Sequence, residues 1–242
     1  MGKREILMNK KELKYAFIYT LIMAWGMFVS YHIFGYNYDS NKIDTVLIYF
    51  ELAMTIFAVW IYCKHYANTA FTRLKITGAF LIYSIFMIFA FVLYLLQGAD
   101  KANTEYFIYI VITTALVATS EEIMYRGIVV TGLLKHNSKV KAIIYSAILF
   151  SLLHTVNILG GVSISSMLIQ LVNTFVLGIV LACFRVENKN IAPLIVYHFI
   201  WDMVLISPIF VKKYIGIIAA IVGLSIVLSI MLPIKIYKQN TK

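Results

Sequence analysis

Long apolar runs alternate with short polar, mostly basic, connections along the whole chain. Eight runs stand out, over about 15–35, 43–63, 76–97, 106–134, 139–156, 163–185, 191–209 and 213–235. Each is near the ~20 residues that an α-helix needs to cross a hydrocarbon core of ~30 Å. The fifth is short and amphipathic in places, and its ends are the least sharply marked. The pattern predicts an all-α polytopic membrane protein, a bundle of about eight transmembrane helices. Those spans use up the 242 residues, so 1–242 is expected to form a single integral membrane domain.

Composition agrees with the pattern. Hydrophobic residues make up 62% and charged residues 13% of the chain, with a mean hydropathy of +0.86. A soluble domain is nearer half apolar and a quarter charged. The first run follows a basic start, as in a signal peptide. It is too long, however, and no small-residue cleavage site follows, so an uncleaved first span is expected. The start MGKREI also departs from a myristoylation signal, because Ile6 stands where Ser or Thr is required.

The formal charge of +10 does not point to nucleic acid. Its basic residues lie in short loops and form no stripe beside stacking aromatics. On the connections that share a side with the termini there are sixteen Lys and Arg, among them Lys64, Arg73, Lys135 and Arg185. The alternate connections hold four: Lys42, Lys101, Lys212 and Lys213. By the positive-inside rule both termini are expected in the cytoplasm. Tyr-rich span ends fit interfacial belts, and the bilayer is the expected partner. The two cysteines, Cys63 and Cys183, form no CxxC pair and indicate neither a zinc knuckle nor a disulfide framework.

The fourth run contains ATSEEIMYRGIVV (118–130), which carries Glu121, Glu122 and Arg126. Each charge at a helix centre costs roughly 2.5–3.5 kcal/mol on insertion scales, so something local must offset the three. Glu122 and Arg126 are four apart, on one helix face and in the favourable order. Glu121 lies ~100° round the helix and lacks that partner. One reading is an interhelical ion-pair network; the other is a functional site. FSLLH (150–154) places His154 in the fifth run, and YHFIWD (197–202) places His198 and Asp202 four apart in the seventh. Counted at ~1.5 Å per residue from the cytoplasmic ends, Glu121 lies ~21 Å in and His154 ~22 Å in, with His198 shallower at ~10 Å. Glu51, inside the second run, fits either a supporting partner or a lone interhelical bond. His32, His65 and His136 lie at span ends or in loops and read as interfacial.

Glu beside His has the groups to deprotonate a water for attack on a peptide carbonyl. A second His with an Asp suits stabilisation of the developing oxyanion. Two His with carboxylates are also zinc-ligand types, with Glu121, His154 and His198 as the candidate set. There is no HExxH helix and no nucleophile elbow. Ser120 adjoins Glu121 but does not face it.

EEIMYR (121–126) resembles the EExxxR motif of the CPBP family, the CAAX prenyl proteases and bacteriocin-processing (Abi) relatives. FSLLH resembles its FxxxH motif, HFIWD its HxxxN/D motif, and FVLGIVLA (175–182) the small-residue stretch between them. Order and spacing agree over about 106–202. The resemblance implies an intramembrane endopeptidase with a cavity that opens towards the cytoplasm. Glu121 would act as general base on water with His154, His198 and Asp202 would bind the oxyanion, and Glu122 and Arg126 would brace the site. It leaves open zinc or a metal-free glutamate mechanism. Two departures stand out: Asp202 replaces the Asn of eukaryotic members, which donates a hydrogen bond where ionised Asp does not, and Ala182 stands where Gly is common.

Lys-, Ile- and Asn-rich usage suggests an AT-rich bacterial genome, hence a bacterial cell membrane and a small peptide precursor or membrane-anchored substrate. Bacteriocin or pheromone processing and self-immunity are the expected roles. The rivals are a non-catalytic immunity or regulatory protein that binds a peptide, and a transporter with a carboxylate proton relay. Against transport, no inverted repeat or pair of broken spans appears.

Overall fold

The computed structural model describes residues 10–40, 42–97 and 104–240. Of the basic residues weighed above, Lys3, Arg4, Lys101 and Lys242 lie outside them. The elements are α1 (Lys10–Phe28, continued by a π-helical turn to Ile33), α2 (Asp44–His65), α3 (Gly78–Gln97), α4 (Thr104–Glu122), a π-helical turn (Ile123–Val129), α5 (Val130–Leu133), α6 (Lys139–Leu153, continued by a 3-10 turn to Gly160), α7 (Ile164–Asn188), α8 (Ala192–Ile206), α9 (Pro208–Lys213) and α10 (Ile215–Asn240). The architecture is an all-α polytopic bundle. Among the described residues seven helical segments are long and apolar enough to cross a membrane.

The seventh expected span, 191–209, differs. It is the 15-residue helix α8, which at ~1.5 Å per residue reaches only ~22 Å. Both ends have local causes. Ser207 precedes Pro208 and takes an extended conformation, as the residue before a proline tends to do. Its side chain then accepts from the Phe210 amide and starts α9. At the other end the α7–α8 turn is tucked inward. Lys189 adopts a left-handed conformation (φ 62°), Asn188 and Ile191 are fully buried, and the Ile191 amide donates to Ala70 O at 2.9 Å. The 66–77 connection therefore lies over this turn, and α8 begins below the surface of the bundle.

Successive long helices alternate in direction. The starts of α1 and α6 and the ends of α2, α4–α5, α7 and α10 define one face, which holds both chain ends and is called here the terminal face. The ends of α1, α6 and α8 and the starts of α2, α4 and α7 define the opposite face. α2 packs along α4, α6 along α7, and α8 along α4. Close packing of α6 against α7 depends on Gly178: a Cβ there would come within 3.1 Å of Ala147 Cα. The same glycine lies in the small-residue stretch noted in the sequence. Arg185, counted above as a loop charge, is instead buried. Its Nε donates to Arg126 O (3.1 Å) and its Nη2 to Thr69 O (2.7 Å), tying α7 to the α4–α5 turn and to the 66–77 connection.

Candidate active site

The charged residues of α4 lie at the centre of the bundle. Glu122 and Arg126 are both fully buried, and Arg126 Nη1 donates to Glu122 Oε1 at 2.7 Å. This is the i, i+4 pair expected from spacing, and it survives although the backbone widens into a π-helical turn from Ile123. Such turns recur at functional sites because they redirect side chains that a regular helix would hold apart. The guanidinium also lies 4.1 Å from the Phe150 ring centroid. That contact offsets part of the cost of a buried cation whose Nε and Nη2 find no hydrogen-bond partner.

Glu122 has a second role that spacing did not reveal. Its Oε1 also accepts from His198 Nδ1 at 3.0 Å. The other ring nitrogen of His198, Nε2, lies 3.5 Å from Asp202 Oδ2 and 3.8 Å from Glu121 Oε2. One imidazole thus faces three carboxylates. The expectation that His198 lies shallower than Glu121 is corrected: α8 starts deep in the bundle, so His198 is level with the two glutamates.

His154 ends α6. Its Nδ1 lies 3.1 Å from Phe150 O, and a carbonyl only accepts, so Nδ1 carries the proton and Nε2 keeps its lone pair. The Phe150 ring stands edge-on to both His154 (centroids 5.4 Å apart) and His198 (5.8 Å). Sequence reasoning assigned Phe150 only to a motif. It is the shared wall that fixes both imidazoles and the guanidinium. Ser120 is turned away, paired with the Tyr19 hydroxyl at 2.7 Å.

Glu121, His154, His198 and Asp202 line one cavity of about 750 Å³. Glu122 and Arg126 stand behind its floor. Glu121 is buried, and its Oε2 has no hydrogen-bond partner. Glu51, whose role the sequence left open, lines the same cavity. The exposed lining residues, Tyr38, Asp39 and Pro208 among them, lie at the helix ends opposite the terminal face, so the mouth is there. Two expectations therefore exclude each other in this fold: cytoplasmic termini and a cavity that opens to the cytoplasm.

For zinc the donor types are right but the arrangement is not. Among the described residues no three His, Cys, Asp or Glu side chains gather as metal ligands require. Glu121, His154 and His198 do not close into a ligand cage.

Residues 103–204 match the family model described as type II CAAX prenyl endopeptidase Rce1-like. Over these residues the chain is similar to the CAAX-protease family. The matched segment runs from the start of α4 to α8, so it includes Glu121, Glu122, Arg126, Phe150, His154, His198 and Asp202. The family indicates a CAAX-type protease in a lipid bilayer that acts on a peptide or protein substrate. No curated protein and no solved structure matches the chain.

The central pair can be tested by unfolding. Arg126→Ala removes one member of a buried ion pair and leaves Glu122 with His198 alone, which costs about 3–5 kcal/mol. In denaturant titrations in detergent, its midpoint should fall well below that of wild type. The Glu122→Gln/Arg126→Met double variant should recover part of the loss, because neither charge remains.

Proposed function

We propose that the protein is a membrane-embedded endopeptidase in which Glu121 activates a water molecule for attack on a peptide carbonyl. The observation that carries this reading is the Glu121 carboxylate, buried with its Oε2 free of hydrogen bonds at the floor of a cavity that His154, His198 and Asp202 also line. Glu121 takes a proton from water as the water oxygen bonds to the carbonyl carbon. His154 orients that water through Nε2, which the Nδ1–Phe150 bond leaves as an acceptor. His198, doubly protonated and held by Glu122, donates from Nε2 to the developing oxyanion, and Asp202 steadies the ring. As the tetrahedral intermediate collapses, the C–N bond breaks and Glu121 returns its proton to the leaving amine. General acid–base transfer of this kind is worth roughly 10²–10⁴-fold in rate.

The substrate class that fits is a small peptide precursor or membrane-anchored peptide, with bacteriocin or pheromone maturation, or self-immunity, as the cellular role. A non-catalytic peptide-binding immunity protein is the alternative. The distribution of Lys and Arg supports cytoplasmic termini. Given the position of the mouth, the substrate then enters from the extracytoplasmic side.

Two experiments test this reading. Protein in liposomes should cut members of a peptide-precursor pool, followed by mass spectrometry. His154→Ala should lower the rate by at least about 10²-fold, and prior zinc chelation should leave the wild-type rate unchanged. Retained cleavage in His154→Ala contradicts the mechanism, and loss on chelation restored by zinc favours the metal version. For sidedness, a membrane-impermeant maleimide should label Asp39→Cys in intact cells of a Cys63→Ser background. It should label His136→Cys only after permeabilisation, and the reverse pattern places the mouth in the cytoplasm.

A further inference from the structure

The cavity extends well beyond the four residues assigned to chemistry, and its outer part has a single sign of charge. Asp44, Leu47 and Glu51 form one stripe of α2 along its wall, and Asp39 stands at the mouth. No lysine or arginine lines it among the described residues. Acidic residues alone would mean little. Glu51, however, is buried to 4% exposure inside the bundle, and its Oε2 has no hydrogen-bond partner. A desolvated carboxylate without a partner costs several kcal/mol unless a cation or donor meets it. The charged groups that act on it are Asp44 of its own helix, Glu121 of α4 and Asp202 of α8, all of its own sign. Among the described residues no cation is placed against it.

Resting on the endopeptidase reading, we propose that Glu51, assisted by Asp44, is a subsite for a cationic group of the substrate, a lysine or arginine side chain. Its distance from the reacting centre follows from helix levels. α2 and α4 run parallel, and Thr55 Oγ1 reaches Leu116 O at 3.3 Å, so those two residues are level. At ~1.5 Å per residue Glu51 lies ~6 Å towards the mouth from that level and Glu121 ~7.5 Å towards the floor. The separation is ~13 Å along the axis, which an extended peptide at ~3.3 Å per residue covers in about four residues. The preferred substrate therefore carries a basic residue about four positions from the bond that is cut. A peptide of that kind also gains from an anionic cleft that raises its local concentration.

The test measures binding apart from cleavage. Wild type and Glu51→Gln in liposomes are titrated with a fluorescein-labelled, acetylated ten-residue Ala/Leu/Ser peptide that carries one lysine, and with the same peptide carrying norleucine. Wild type should bind the lysine form about tenfold more tightly. Glu51→Gln, its folding checked by thermal unfolding, should bind both alike, and Asp44→Asn should lose part of the preference. Equal binding of the two peptides by wild type, or an undiminished preference in Glu51→Gln, overturns the subsite. A preference without cleavage of the lysine peptide or of any precursor keeps the subsite and removes the endopeptidase reading. Cleavage without a preference does the opposite.

Discussion

A carboxylate and a guanidinium, both fully buried in one helix, constrain everything around them. Glu122 and Arg126 neutralise each other at 2.7 Å, but a single ion pair in an apolar bundle does not cover its own desolvation. The rest of the offset comes from outside α4. Phe150 of α6 offers a ring face to the guanidinium, and His198 of α8 donates to the carboxylate. Three helices are thereby fixed in register by one charge pair. Glu121, the preceding residue, lies on another face and gains no hydrogen bond at its Oε2.

The demand that His198 reach Glu122 explains the oddest part of the fold. α8 is too short for a full span because its start is drawn inward beneath the 66–77 connection, where Ile191 bonds to Ala70. Buried Arg185 secures the same corner from α7. This packing covers the site from the terminal face, and its cavity opens on the other side. The cavity, its mouth and the exposed acidic residues at its rim follow from where the charges had to be buried.

The seven long helices were legible from hydropathy, since length and apolarity alone decide which segments suit a bilayer. Two contacts of the candidate site were legible from i, i+4 spacing: Glu122 with Arg126, and His198 with Asp202, meet as counted. What spacing could not supply is contact between helices. The bond from His198 to Glu122, the Phe150 wall and the buried role of Arg185 depend on depth, and depth was counted from loop ends that do not all lie at one surface. The side of the mouth was partly legible. Glu121 and His154, each more than ~20 Å from the terminal face by the same count, already lay nearer the far side of a ~30 Å core. Glu51 stayed ambiguous because one acidic residue in an apolar run gives no sign of what it faces.

The proposed mechanism divides labour between adjacent glutamates: Glu122 holds the bundle together and Glu121 performs the chemistry. The most direct measurement is single-turnover peptide cleavage alongside denaturant unfolding for Glu121→Gln and Glu122→Gln. The account predicts that Glu121→Gln unfolds at or above the wild-type midpoint with cleavage lost, whereas Glu122→Gln shows a lowered midpoint. Cleavage that persists in Glu121→Gln, or an unchanged midpoint in Glu122→Gln, would contradict it.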